Sequence, residues 1–258
     1  MYPQIVIGEY SVPVYSLFAI IGFCFSFFVL SGFLLKNLIF RKYIYICFVS
    51  CIGMIIFAKL FGYVSRIITV YMETGQFVWK DSFIHSGIVY LGGLLGYLLT
   101  LYILCKFQNR SWDEIKKPIS VVIPLFHGFG RIGCYFAGCC YGKKSDGWFA
   151  IPYRTVVTGY IWENRIPVQL AEAVFEFMLF FFLLYLYKKK ASDNSETSLL
   201  SFYLCFYSIW RFGIEFLRGD EQRGVFGVLS FSQIICICII IWQAAKLLFV
   251  SGGRYEGR

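Results

Sequence analysis

The sequence predicts an all-α integral membrane protein with about seven transmembrane helices. Of its 258 residues, 59% are hydrophobic and 21% are aromatic, which is too apolar a composition for a soluble domain of this size. The apolar residues form segments of about 18–23 residues, the length that crosses a hydrocarbon core of about 30 Å. The net charge of +9 comes from short basic clusters between these segments, so it indicates topology and not a nucleic-acid surface.

The predicted spans are residues 13–35, 43–63, 85–105, 118–139, 167–187, 199–217 and 225–250. If the N-terminus is outside, the basic clusters all fall on one side, which the positive-inside rule makes the cytoplasm. These clusters contain Lys36, Arg41, Lys42, Lys106, Arg110, Lys116, Lys117, Lys188, Lys189, Lys190, Lys246, Arg254 and Arg258. We therefore expect an outside N-terminus and a cytoplasmic C-terminus.

This topology places the connections 64–84, 140–166 and 218–224 outside. The second of them is long enough for a small outer head segment, although its aromatic residues also suit an ordinary interfacial belt. Residues 1–250 are expected to form a single transmembrane domain, and residues 251–258 a cytoplasmic tail. The first span is expected to serve as its own insertion signal, because no basic region and cleavage site precede it.

The most informative stretch lies at the outer end of the fourth span and runs from His127 to Gly142. It places an arginine, Arg131, at membrane depth, where a guanidinium costs roughly 2.5–3.5 kcal/mol without a partner. In a helix, His127, Arg131, Cys134 and Tyr135 would share one face. The stretch therefore indicates an anionic ligand, with a helix-packing segment whose arginine snorkels to the interface as the alternative.

A second polar group lies at the outer end of the sixth span. Arg211 and Glu215 are four residues apart and can pair along a helix, and Arg218 follows. A self-satisfied ion pair is one interpretation of this group. The other rests on charge, because three arginines and Lys59 outnumber Glu215 at the presumed depth. Excess positive charge predicts the phosphate of an anionic lipid.

Further candidates come from three other spans. Gly92 and Gly93 allow close approach in the third span. Gln169 and Glu172 fall on one face at the start of the fifth, where they suit either a site or an interhelical hydrogen bond. Tyr15, just inside the first span, is commonly an interface anchor.

These motifs, in this order, resemble the phosphatidylglycerol–prolipoprotein diacylglyceryl transferase family over nearly the full length of the chain. The family signature Gly-Arg-(Ile/Leu)-Gly-Asn-Phe-x-Asn-Gly-Glu-x-(Tyr/Trp)-Gly is similar to residues 130–142. Its His-Pro-x-Gln-Leu-Tyr-Glu motif is similar to residues 166–172. Its Arg-Phe-x-x-Glu-Phe-x-Arg motif is similar to residues 211–218, and the acid that follows is Asp220 or Glu221. The second-span Gly-Ala-Arg-Leu is echoed by Ala58, Lys59 and Leu60, and the first-span tyrosine by Tyr15.

The resemblance implies transfer of the diacylglyceryl group of phosphatidylglycerol to a cysteine thiol of a lipoprotein precursor or a related acceptor, with release of glycerol phosphate. It implies no metal or cofactor, and a site toward the outer leaflet of the bacterial cytoplasmic membrane. Arg131 and Arg211 carry over as the phosphate-binding pair, since positioned arginines stabilise a leaving phosphate. Glu215 is expected to orient Arg211, and Gly142 to let the headgroup approach the backbone.

The chain also departs from the family pattern. Leu91 stands at the third-span histidine or tyrosine, Cys134 and Ala137 at the signature asparagines, and Cys139 at the glutamate. His127 is the candidate to replace the family's base. The cysteines 134, 139 and 140 leave open a disulfide and a thiol-acyl intermediate. They also leave open a zinc site, which a continuous helix would make awkward.

Two other function classes remain open at this point. A membrane protein that binds or translocates phospholipid would keep the arginines and lose the chemistry. A thiol redox protein would use the three clustered cysteines.

Overall fold

All long elements of the protein are α-helices. The computed structural model describes residues 4–7, 10–36, 39–154, 162–190, 198–220, 225–226 and 228–252. The helices are α1 (Val14–Lys36), α2 (Phe40–Thr74), α3 (Trp79–His85), α4 (Tyr90–Phe107), α5 (Trp112–Ala137), α6 (Val168–Lys190), α7 (Leu199–Ile214) and α8 (Phe231–Gly252), with a 3₁₀ turn at Glu215–Leu217.

Within the described residues, six short strands form three separate antiparallel hairpins. These pair β1 (Gln4–Ile7) with β2 (Tyr10–Pro13), β3 (Ile151–Arg154) with β4 (Trp162–Arg165), and β5 (Val225–Phe226) with β6 (Leu229–Ser230). The second hairpin lies in the predicted outer segment 140–166. Residues 155–161 of that segment, Glu221 and the tail residues 253–258 lie outside the described part of the chain.

In the part of the chain that the structure describes, five helices are long and apolar enough to cross a membrane: α1, α2, α4, α5 and α6. The helix α8 contributes a shorter apolar stretch at Phe231–Lys246. Among the five, α5 is the most enclosed, with 67% of its most apolar window buried against 17% in α1. It packs against α1 on one side and α6 on another. The helix that carries His127 and Arg131 is therefore the central one.

Glycines set the close approach between helices. A Cβ on Gly92 of α4 would lie 2.5 Å from Phe61 Cβ of α2, and one on Gly53 of α2 would lie 2.0 Å from Thr100 Oγ1 of α4. No side chain fits in these positions, so the backbones of α2 and α4 can pack directly together.

Several predicted boundaries were wrong. Residues 64–74 were expected in an outer connection, but they continue α2, because no helix breaker occurs before Gly75, which caps the helix with φ 71°. The helix of the third predicted span, 85–105, begins only at Tyr90, because residues 86–89 form a non-helical segment between α3 and α4. The last helix begins six residues later than expected, after the β5–β6 hairpin, and α5 ends at Ala137 rather than at Cys139.

Candidate active site

A buried carboxylate on α6 joins arginines from two other helices. Glu172 Oε1 accepts a hydrogen bond from Arg211 Nη1 of α7 at 2.8 Å and lies 3.1 Å from Arg131 Nη2 of α5. All three residues are at least 94% buried. Because charge-assisted bonds are strong and directional, this carboxylate fixes the distance between the two guanidinium groups.

The ion pairs continue beyond the end of α7. Arg211 Nη2 lies 2.5 Å from Glu215 Oε2, which confirms the predicted pair along the helix. Arg218 Nη1 lies 3.8 Å from the same oxygen, and its Nε donates to Asp220 Oδ1 at 2.8 Å. The arginines of the site are therefore held in one connected chain of charges.

His127 is held at both ring nitrogens. Its Nε2 accepts a hydrogen bond from Arg131 Nε at 3.1 Å, and its Nδ1 lies 2.7 Å from Glu176 Oε1. Because a guanidinium can only donate, Nε2 carries no proton, so the ring is neutral and Nδ1–H donates to Glu176. His127 therefore has no free lone pair in this arrangement, and it orients Arg131.

Aromatic rings enclose the histidine. Tyr90 of α4 stacks on it with 3.6 Å between ring centroids, and Tyr207 of α7 meets it edge-on at 5.3 Å. The Tyr90 hydroxyl shares a hydrogen bond of 3.0 Å with the Tyr203 hydroxyl. This packing fixes the plane of the imidazole and with it the direction of Arg131.

The predicted excess of positive charge was wrong. Glu172 and Asp220 pair with the arginines, and Glu176 contacts His127, so Glu215 is not the single acid of the group. The charge count from sequence failed because it set three arginines and Lys59 against Glu215 alone, and left out Glu172 and Glu176 of α6 and Asp220 after α7.

The arginines face a large cavity. It has a volume of about 1550 Å³, and its walls come mainly from α1, α2, α4 and α5, with Tyr207 and Arg211 of α7. Along α5 it extends from Ile119 to Ala137, a length of about 27 Å at the helical rise of 1.5 Å per residue. Arg131, Arg211 and Arg218 line it together with apolar side chains such as Phe27 and Leu30. The cavity thus combines a charged region with a long apolar region.

Half of the predicted substrate-binding residues line this cavity. Tyr15, Lys59, Gly93, Cys134 and Arg218 do so. The Nζ of Lys59 donates to the Ser86 carbonyl at 2.8 Å. The remaining predicted residues are not among the cavity walls; they are Gly92, Gly142, Gln169, Glu172 and Glu215.

Predicted residues that do not line the cavity hold in place the segments that do. Gln169 donates to the Cys139 carbonyl at 2.6 Å and accepts from the Tyr153 hydroxyl at 2.7 Å. Gly142 donates its N–H to the Ile166 carbonyl at 3.1 Å and forms a β-bridge with Arg218. A Cβ at Gly142 would lie 2.4 Å from the Ile166 oxygen. Close packing of the two backbones therefore explains why residue 142 is a glycine.

The β3–β4 hairpin supports the same region. Arg165 Nη1 donates to the Gly142 carbonyl at 3.3 Å, and its guanidinium lies 4.3 Å from the centre of the Tyr141 ring. Hydrogen bonds from Lys144 and Arg165 hold the pKa of Glu163 below its usual value. The hairpin thus fixes the segment that follows α5.

Three cysteines gather where α5 ends. The sulfur atoms of Cys134, Cys139 and Cys140 lie within 4.8 Å of one another, and all three residues line the cavity. Hydrogen bonds from Cys134 and Cys139, with the charges of Arg218 and Arg131, hold the pKa of the Cys140 thiol below its usual value. The family signature has hydrogen-bonding side chains at the positions of Cys134 and Cys139. In this chain, thiols line the cavity at these two positions instead.

Sequence reasoning missed Glu176 as well as Tyr90 and Tyr207. Glu176 lies four residues after Glu172 on the same face of α6, in an otherwise apolar run. A carboxylate in such a run indicates a functional residue, since buried acids within membrane spans are costly and commonly functional. The two tyrosines had no comparable signal, because aromatic residues are abundant in every span.

The family model for prolipoprotein diacylglyceryl transferase matches residues 4–249. The chain belongs to the prolipoprotein diacylglyceryl transferase family. This confirms the resemblance drawn from the motifs around Arg131, Gln169 and Arg211.

Individual members of the family are similar over most of this chain. The phosphatidylglycerol–prolipoprotein diacylglyceryl transferase of Clostridium tetani is 37% identical over 163 residues, which are 60% of this chain and 61% of that protein. Transferase 2 of Clostridium perfringens is 34% identical over 189 residues, 72% of this chain and 70% of that protein. The Pseudomonas paraeruginosa transferase is 29% identical over 201 residues, 77% of this chain and 70% of that protein.

Proposed function

We propose that this protein transfers the diacylglyceryl group of phosphatidylglycerol to the cysteine thiol of a prolipoprotein and releases glycerol phosphate. The observation that carries the proposal is the pair Arg131 and Arg211, joined by Glu172, beside a cavity with a long apolar region. Such a cavity suits a phospholipid, because it offers hydrogen-bond donors to a headgroup and apolar walls to acyl chains. Family membership does not favour the lipid-translocating and redox alternatives.

Arg131 is the better placed of the two arginines to contact the donor phosphate. Its Nε bonds His127 and its Nη2 pairs with Glu172, while Nη1 has no acceptor among the described residues. We assign Nη1 to a phosphate oxygen. Arg211, held by Glu172 and Glu215, supplies the second positive charge to the leaving glycerol phosphate.

The other cavity residues serve substrate binding in this proposal. Tyr15, Lys59 and Arg218 contact the polar part of the donor, and the apolar walls of α1 and α5 hold its acyl chains. His127 acts as a positioning residue for Arg131, because both of its ring nitrogens are engaged. This assignment replaces the expectation that His127 is the base.

We also propose the membrane arrangement expected from the sequence, with seven spans in the bacterial cytoplasmic membrane. The basic clusters support an outside N-terminus and a cytoplasmic C-terminus. The site then faces the outer leaflet, with the segment 140–166 as its head. Reporter fusions test this topology: a fusion after Arg110 should report the cytoplasm, and one after Lys144 the outside. The opposite result at both positions would refute it.

The activity is tested with purified protein in vesicles that contain phosphatidylglycerol, using a peptide with a lipoprotein-type cysteine as acceptor. Glycerol phosphate and lipidated peptide should appear together, and mass spectrometry measures both. Arg131→Ala and Arg211→Ala should abolish both products, whereas Arg110→Ala, an exposed arginine before α5, should not. Wild-type turnover in both arginine variants would contradict the phosphate role, and absence of both products from wild type would contradict the transferase, given an active family member as control.

A further inference from the structure

The cluster of Cys134, Cys139 and Cys140 has the geometry of a metal site. Cys134 lies in the last turn of α5, and the helix ends at Ala137, where Gly138 turns the chain with φ 73°. Cys140 adopts φ 57°, an uncommon conformation for a residue other than glycine. This reversal brings the three sulfur atoms within 4.8 Å of one another. The objection that a continuous helix would separate them therefore no longer applies.

We propose that these three cysteines bind one zinc ion and leave a fourth coordination position open to the cavity. Thiolates favour soft or borderline ions such as Zn²⁺ over Mg²⁺ or Ca²⁺. Tetrahedral zinc with Zn–S distances of about 2.3 Å requires sulfur atoms about 3.8 Å apart. The observed limit of 4.8 Å differs by about 1 Å, which side-chain rotation can supply. Three protein ligands and one open position are typical of catalytic zinc sites.

Two arginines lie beside this site. Zn²⁺ with three thiolates carries one net negative charge, which would be costly in an apolar wall. Arg131 and Arg218 line the same cavity and interact electrostatically with Cys140. Glu172 and Asp220 pair with these arginines. A negatively charged metal–thiolate group would therefore lie beside two guanidinium groups, which lower its electrostatic cost locally.

The open position suits the acceptor thiol, a step that rests on the proposed function. When the acceptor thiol binds there, its proton is released to water in the cavity and its sulfur remains as a nucleophilic thiolate. A sulfur lone pair then forms a C–S bond to the glyceryl carbon that carries the phosphate. The C–O bond to the phosphate breaks, and its electron pair leaves with glycerol phosphate. The step needs no oxidant or reductant.

Metal binding is tested on the purified full-length protein, reduced and then incubated with Zn²⁺ or Co²⁺ alone. After removal of free metal, we expect one Zn²⁺ per chain by elemental analysis, and thiolate-to-cobalt charge-transfer absorption in the Co²⁺ form. Cys139→Ser and Cys140→Ser should each lower zinc affinity by more than about 100-fold, since even outer-shell partners contribute 10–100-fold. Cys238→Ser, an exposed cysteine on α8, should bind metal as wild type does.

The outcomes separate the metal site from the transferase. Less than one-tenth of an equivalent of metal in the reduced protein, or unchanged affinity in both serine variants, would overturn the zinc site. Full turnover by protein shown to be metal-free would also overturn the role in thiol activation. Zinc bound at one equivalent with no transfer would support the site and contradict the proposed function instead. A change in the cobalt absorption on adding acceptor peptide, without donor lipid, would place the thiol at the open position.

Discussion

Glu172→Gln is the sharpest test of the arginine arrangement. The carboxylate lies 2.8 Å from Arg211 Nη1 and 3.1 Å from Arg131 Nη2 through a single oxygen, Oε1. Glutamine keeps the size and one acceptor oxygen but removes the charge. Its amide nitrogen would take the place of Oε2, an atom with no hydrogen-bond partner among the described residues. The variant therefore changes the electrostatics of the arginine pair more than its packing.

The expected loss follows from the hydrogen bond to Arg211 and the ion pair with Arg131. Hydrogen bonds to charged groups contribute about 1.5–3 kcal/mol and neutral ones about 0.5–1.5 kcal/mol, so removing the carboxylate charge, while the arginines stay charged, should weaken each of the two contacts by roughly 1 kcal/mol. If the resulting loss of about 2 kcal/mol appears in the transition state, kcat/KM falls roughly 30-fold, since about 1.4 kcal/mol corresponds to a factor of ten. The fall should lie mainly in kcat, because correctly placed arginines matter most as the phosphate leaves.

The assay measures initial rates of glycerol phosphate release over a range of donor lipid in mixed vesicles. Glu114→Gln is the matched control, because Glu114 bonds Tyr43 at the other end of α5, far along the chain from Arg131. The control should keep wild-type kcat/KM. Wild-type kcat/KM in Glu172→Gln would refute the claim that this carboxylate positions the arginines, and an equal loss in Glu114→Gln would show that the effect is general destabilisation.

Three further variants test the supporting structure. Gly142→Ala should lower kcat/KM at least about tenfold, because its Cβ would lie 2.4 Å from the Ile166 oxygen and displace the neighbouring residues 138–141, which line the cavity. An unchanged rate of glycerol phosphate release would contradict this. Gly92→Ala should lower stability by about 1–3 kcal/mol through overpacking against Phe61, seen as a lower Tm in detergent, and a wild-type Tm would disprove the packing role. Tyr43→Phe should lower the free energy of unfolding by about 1 kcal/mol, because a hydroxyl hydrogen bond is lost, and should leave activity unchanged. Reduced turnover in fully folded Tyr43→Phe protein would contradict a purely structural role for Tyr43.

The parts of the site that sequence predicted correctly are local. His127, Arg131 and Cys134 share the buried face of α5, and Arg211 pairs with Glu215 one turn later. Helical periodicity determines such relations without knowledge of the tertiary structure. The all-α class was equally accessible, since composition and segment length are sufficient for it.

Contacts between different helices could not be predicted from sequence in this way. The contact of Glu172 with Arg131 joins α6 to α5, and nothing in the spacing of either motif predicts it. The extension of α2 to Thr74 was missed because polar residues such as Arg66 and Glu73 resemble a loop, whereas both line the cavity. The three cysteines come together because the chain reverses at Gly138. The predicted span, which continued as a helix to Cys139, did not allow for this reversal.

The pairing of acids with arginines bears on how the proposed reaction is favoured. A thiolate that attacks phosphatidylglycerol becomes a neutral thioether, while the singly charged phosphodiester becomes a doubly charged glycerol phosphate. The total charge is constant, and one negative charge moves from sulfur to phosphate. Arginines already paired with Glu172 and Glu215 attract the resting lipid only moderately, but their positions are fixed before the charge arrives. Fixed donors beside the developing charge stabilise the transition state more than the ground state, and this difference is what accelerates a reaction.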